Sequence, residues 1–218
     1  MSLKIWYDPF SQPCRAVKFV LNKLGVEYET VEIAVVKDTR TEDFKKNVNP
    51  NGTVPTVHHD DLQIYESSTA IRYLLDTFEG DETLLPRTDL KQRAKVDYWL
   101  DWNNTIGRPA IEKPLKEIGI KPKVFGFPDP SEEEKKELLE NMHTALAYIE
   151  LNLEGKSYLT GENLTVGDVQ VYNEVFETKT VLSLTYEEYP NILAWLERVG
   201  EDEEIKALNE AMHKRLEG

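Results

Sequence analysis

Residues 3–25 read LKIWYDPFSQPCRAVKFVLNKLG. The short apolar run Leu3–Tyr7 predicts a strand. Pro13 suits the first turn of a helix, where its missing N–H has no partner to lose. Ala16, Val17, Val20, Leu21 and Leu24 then recur at helical spacing, and Gly25 marks the stop. A strand running directly into a helix, with Ser11-Gln12-Pro13-Cys14 at the junction, predicts an α/β unit.

Working outward, Tyr28–Val35 is β-branched and predicts a second strand. Thr41-Glu42-Asp43-Phe44 opens a short helix or turn. Thr53–His58 and Leu62–Tyr65 flank His59-Asp60-Asp61 and predict a hairpin. Ser67 is expected to cap a helix that turns Ala70, Ile71, Leu74 and Leu75 inward. The order β-α-β-α-β-β-α, with a right-handed crossover between the first two strands, is that of a thioredoxin-like domain, assigned to residues 1–80. Glu79–Asp89 is polar, holds Gly80 and Pro86, and reads as a linker. Residues 89–218 read as an all-α helical domain. Leu90–Ile118 is a long helical stretch that Pro109 and Pro114 must break or kink, and Gly119–Pro130 reads as a loop. Ser131-Glu132-Glu133-Glu134 is a capping box opening a helix to about Leu153. Thr165-Val166-Gly167-Asp168 is a second helix start. Pro190 opens another helix, and a last amphipathic one runs to about Leu216.

Composition narrows the function. A formal net charge of −14 argues against nucleic-acid and anionic-membrane partners, which call for a basic face. No apolar run approaches the roughly 20 residues of a membrane span. The start of the chain lacks the pattern of a signal peptide, and the single cysteine, Cys14, rules out an internal disulfide framework. A cytoplasmic location is therefore expected. The four histidines show no zinc-ligand spacing, so no metal is expected, and His58-His59 beside Asp60-Asp61 reads as a polar turn.

Three segments carry chemistry. In a thioredoxin-like domain a Cys-x-Pro-Cys pair would stand at residues 11–14, and here Ser11 replaces the first cysteine. Dithiol exchange is lost, while a hydroxyl remains at a positive helix end, where an anion is favoured by roughly 0.3–1 kcal/mol. That suits a borrowed thiol: a free one titrates near pH 8.5, and a fall of about two units makes it mostly thiolate at neutrality. Ser11 would donate to the thiolate. Tyr7 is a rival hydroxyl, or else a packed strand aromatic. Cys14 reads as a small buried helix residue. Pro55 is the candidate cis-proline, which would present the Val54 backbone to an extended peptide; Val54-Pro55 also fits a simple turn. At Tyr65-Glu66-Ser67-Ser68 a helix N-terminus can bind a carboxylate and Glu66 an ammonium, which suits an α-amino-acid terminus. A capped helix with a solvated glutamate is the alternative.

These motifs together resemble the theta-class, serine-type cytosolic glutathione transferases. The resemblance rests on Ser11–Val17, Asn49-Pro50 with Val54-Pro55, Glu66-Ser67, Ala94–Asp97, Leu100–Trp102 and Leu159–Asp168, and spans nearly the whole chain. It implies that Ser11 is catalytic and that Val54, Glu66 and Ser67 contact glutathione. Arg40 falls where a histidine often meets the glycyl carboxylate. Thr53 falls where a lysine is frequent, so one charge is missing. Asp101 falls where an aspartate crosses a dimer interface to the glutathione amine. A homodimer that detoxifies small hydrophobic electrophiles is implied. The chain ends at Gly218, short of the C-terminal segment of many theta enzymes, which implies a more open electrophile pocket. A non-enzymatic interaction or structural module of the same fold, or a glutathione-dependent dehalogenase, is the alternative.

Overall fold

The computed structural model describes residues 2–217. Its contacts divide into two compact units, Met1–Arg87 with Glu201–Gly218, and Thr88–Gly200. The first unit runs β1 (Leu3–Tyr7), α1 (Gln12–Leu24), β2 (Glu29–Glu32), α2 (Val35–Asp38), α3 (Glu42–Asn47), β3 (Thr56–His59), β4 (Leu62–Ile64) and α4 (Ser67–Thr77). The sheet order is β2-β1-β3-β4, with β1 and β2 parallel and the other two pairings antiparallel. This is the expected thioredoxin-like arrangement. Ile5, Val17, Phe19, Val57 and Ile71 are inaccessible to solvent and form its core.

The second unit runs α5 (Leu90–Trp102), a π-helical turn at Asn103–Gly107, α6 (Arg108–Pro114), a second π turn at Leu115–Ile120, α7 (Lys121–Phe125), α8 (Glu132–Leu153), α9 (Val166–Leu182) and α10 (Pro190–Gly200). The chain then enters α11 (Glu203–Glu217). The sequence reading grouped this last helix with the helical domain. Its contacts fall in the sheet-bearing unit, where it packs on α1 and Lys23 pairs with Asp202 at 2.7 Å.

Local differences have physical causes. The second strand stops at Glu32, short of the expected Val35. The Ala34 N–H donates to Asp38 Oδ2 at 2.7 Å and the Val35 N–H to Asp8 Oδ2 at 2.9 Å, so both leave the ladder and start α2. Ser67 is the first residue of α4, and Glu66 holds the cap position without a side-chain bond. Pro109 and Pro114 do not end the long helix. The π turns adjoining them, closed by Arg108 N–H to Asn103 O and Lys121 N–H to Lys116 O, absorb the missing donors. The helical run therefore continues to Phe125, through residues expected to be loop. Gly119 is not a breaker: a Cβ there would stand 2.5 Å from Val181 Cγ1, so it admits close packing against α9.

Candidate active site

The strand register gathers the candidate residues of the first unit. Trp6 stands opposite Thr56, Val57 opposite Ile64, and Tyr7 opposite Glu32. The chain leaving β1 toward Ser11, the chain entering β3 from Val54-Pro55, the chain leaving β4 toward Glu66 and the chain leaving β2 toward Arg40 therefore emerge at one end of the sheet.

Ser11 is the N-cap residue of α1, with φ −79° and ψ 116°. Its carbonyl accepts the first helical bond from Arg15 N–H at 3.1 Å. Its hydroxyl caps no backbone N–H of α1 and bonds the Cys14 thiol, in the first turn of that helix, instead. Ser11 is half-buried and stands at the positive end of α1. The neighbouring acids are poorly suited to ionise. Burial pushes the Cys14 thiol up to about 12, against the pull of the Ser11 and Asp8 bonds. Burial likewise pushes the Tyr7 phenol far above its ordinary value. Tyr7 closes β1 at this same end of the sheet, but its hydroxyl is enclosed and has no hydrogen-bond partner.

The Val54–Pro55 bond is cis, as expected for Pro55. Asn49, fully buried, shapes the loop before it. Its Nδ2 donates to the Thr53 carbonyl at 2.8 Å, the Thr53 hydroxyl at 3.1 Å and the Thr56 hydroxyl at 3.0 Å, while its Oδ1 accepts from Asn51 N–H at 2.9 Å. Gly52 takes φ +64°, and a Cβ there would lie 2.8 Å from the Thr39 carbonyl oxygen. That close approach lays the 49–53 loop against the segment ending in Arg40. Arg40, Thr53 and Glu66 are exposed, Val54 is half-buried, and Pro55 and Ser67 are buried. Asp101 is exposed on α5, which belongs to the second unit.

The sequence reading missed three supporting groups. Asn49 enters the sequence motifs only through the pair Asn49-Pro50, with no role of its own. Arg15, completely buried, donates from Nη1 to the Pro9 and Phe10 carbonyls, each at 3.1 Å. Asp8, 5% exposed, accepts the Phe10 N–H at 3.0 Å. Nothing in the local sequence marks this arginine and aspartate, because it is their burial in the fold that shows them to be paired.

A thioredoxin-like unit with serine at the redox-cysteine position, continued by a unit of helices, has the architecture of the glutathione transferases. Two family models match in sequence order: the glutathione S-transferase N-terminal domain over residues 7–82 and the C-terminal domain over residues 108–203. Mouse glutathione S-transferase theta-3 is 28% identical, covering 91% of this chain and 82% of its own length. A probable glutathione S-transferase of Oryza sativa subsp. japonica, GSTF2, is 32% identical over 81% of each chain. The solved structure of human glutathione S-transferase T1-1 in its apo form superposes with a TM-score of 0.90 at 27% identity, covering 99% of this chain and 90% of that one. The chain belongs to the glutathione S-transferase family and is theta-like within it.

Proposed function

We propose that this protein is an enzyme that binds glutathione at the sheet end described above and stabilises its thiolate through the Ser11 hydroxyl. The thiolate sulfur then forms a bond to an electrophilic carbon of a small hydrophobic substrate. The leaving group departs with its electron pair, and the thiol proton passes to solvent. The observation that carries the reading is Ser11 itself: a hydroxyl at the N-terminus of α1, not used as that helix's cap, beside the cis-proline loop. Hydrogen bonding to the charged form and a helix end both lower a thiol pKa.

In this reading the Val54 backbone pairs with the peptide, Pro55 sets that turn, and Glu66 with Ser67 holds the γ-glutamyl end. Arg40 holds the glycyl carboxylate, with Thr53 adding a hydroxyl beside it. The molecule acts as a cytoplasmic homodimer with one site per subunit, and Asp101 reaches the glutathione amine of the neighbouring subunit. The test is retention on immobilised glutathione, followed by the ultraviolet absorbance of thiolate in the glutathione-loaded protein near pH 7 and conjugation to an aryl halide. Retention, a thiolate band below the free-thiol titration and conjugate formation are expected. A glutathione-loaded protein whose bound thiol titrates like the free one would overturn the reading.

A further inference from the structure

Asp8 is the most heavily used side chain of the loop that leads to Ser11. Its Oδ1 accepts from Phe10 N–H at 3.0 Å and its Oδ2 from Val35 N–H at 2.9 Å, while its main-chain carbonyl accepts from Ser11 N–H at 3.0 Å. The counter-charge comes from the far end of the sequence. Arg215, in the last turn of α11, places Nε 3.5 Å from Asp8 Oδ1 and Nη2 3.5 Å from the Ile33 carbonyl oxygen. The other end of α11 is fixed to α1 by Lys23 with Asp202 and by Asn22 donating to Glu204 at 2.8 Å. All of these residues lie in one compact unit.

We propose that Arg215 is a positioning residue for thiol activation: it neutralises the buried Asp8 carboxylate, so that a glutathione thiolate can form beside Ser11. The inference rests on the role of Ser11 proposed above. A carboxylate three residues from the hydroxyl opposes a second negative charge, and a guanidinium cancels much of that opposition. The Asp8 charge acts in that direction on the Tyr7 phenol, behind burial, and on the Cys14 thiol, where the Asp8 main-chain bond pulls the other way. The other charged and titratable groups around the loop are Arg15, Cys14 and Lys18 from α1, Tyr7 from β1, Glu32 from β2 and Asp38 from α2. Arg15 is committed to the Pro9 and Phe10 carbonyls, Lys18 lies over the Tyr7 ring at 4.7 Å, and Asp38 holds the Ala34 N–H. Arg15 keeps a buried positive charge that lowers both Tyr7 and Cys14, and Arg215 adds a cation 3.5 Å from the Asp8 carboxylate itself.

The experiment compares the unaltered protein with Arg215→Gln, Arg215→Lys and the double variant Asp8→Asn/Arg215→Gln. It reads the thiolate absorbance of bound glutathione against pH, together with kcat and KM. Arg215→Gln is expected to lower the thiolate population about three- to tenfold at pH below its midpoint, a rise of roughly half to one pKa unit. Turnover falls with it, while KM for glutathione stays within about twofold, because glutathione binding itself is untouched. Arg215→Lys restores most of the population, and removing the carboxylate in the double variant abolishes the rise. A purely structural role would lower the unfolding temperature and leave the titration in place. An unmoved titration in Arg215→Gln, or a rise that persists in the double variant, overturns the inference and leaves the Ser11 reading standing. Bound glutathione without a thiolate band in the unaltered protein overturns both.

Discussion

At the scale of single residues the site turns on which hydroxyl faces the thiol. Ser11 is half-buried at a helix start, whereas the Tyr7 hydroxyl is enclosed and unpartnered. A hydrogen bond to a charged group contributes about 1.5–3 kcal/mol, which corresponds to roughly one to two pKa units. Ser11→Ala is therefore expected to raise the pKa of bound glutathione by that amount and to lower turnover in proportion. Tyr7→Phe should leave the titration where it was, and a shift in Tyr7→Phe with none in Ser11→Ala would transfer the role. Cys14 gives a second residue-level expectation. Its thiol is buried and pushed up to about 12, so native protein should resist alkylation at pH 8 and take one label per chain after denaturation. An acid raised in the folded state keeps it protonated, so its contribution to stability is intact below the unfolded thiol value of about 8.5 and is lost as pH rises toward 12. Rapid labelling of native protein would contradict the burial. Ser11 and Pro55 were legible in the sequence because each occupies a position that a known layout makes special. Asp8 and Arg215 were not legible, because 207 positions separate them and only the packing of α11 on α1 brings them together.

At the scale of elements, the capped helices were the most legible, because both ends of a cap lie within four residues. Ser131 with Glu134 and Thr165 with Asp168 form the reciprocal bonds their spacing predicts. What spacing did not reveal is how far Asp168 reaches. Its carboxylate, wholly buried, accepts from Thr165 N–H at 3.0 Å, the Thr165 hydroxyl at 2.8 Å, Leu159 N–H at 2.7 Å and Trp195 Nε1 at 3.1 Å. It therefore ties the start of α9 to the Leu159 loop and to α10. Asp168→Asn puts an amide donor among these donors, and each unsatisfied buried group costs about 1–3 kcal/mol. With two such groups stranded, a loss of about 2–6 kcal/mol is expected, read as an earlier unfolding midpoint in urea. A midpoint unchanged within error would mean that water replaces those bonds. The proline-bearing helix was misread for the opposite reason. Proline and glycine punctuate local sequence, but π turns and the close approach of Val181 are set by neighbours that the local sequence does not name.

At the scale of the whole molecule, charge and exposed apolar surface pull in opposite directions. Forty acidic side chains against 26 basic ones leave the chain at −14. Two such chains repel, and the repulsion reaches across about 10 Å at 0.1 M salt and about 30 Å at 0.01 M. The helical unit nevertheless exposes Leu90 at 73% and Tyr98 on α5, with Tyr148 and Leu151 at 67% on α8. Leu90 and Tyr98 lie eight residues apart, on one helical face. Tyr98 and Tyr148 join the two helices through their hydroxyls. A stable interface buries about 800 Å² per partner, with an apolar centre and a polar rim. Burying this face in a homodimer would be driven by apolar contact and opposed by net charge. Sedimentation velocity at micromolar protein should show a species of twice the 25.2 kDa chain mass. The dimer should tighten as salt rises from 0.01 to 0.1 M, whereas an interface held by ion pairs loosens over the same range. Leu151→Glu, which adds charge at the exposed face, should shift the population toward single chains. Chains sedimenting singly at every salt concentration would rule the dimer out. A dimer indifferent to Leu151→Glu would move the interface elsewhere on the molecule.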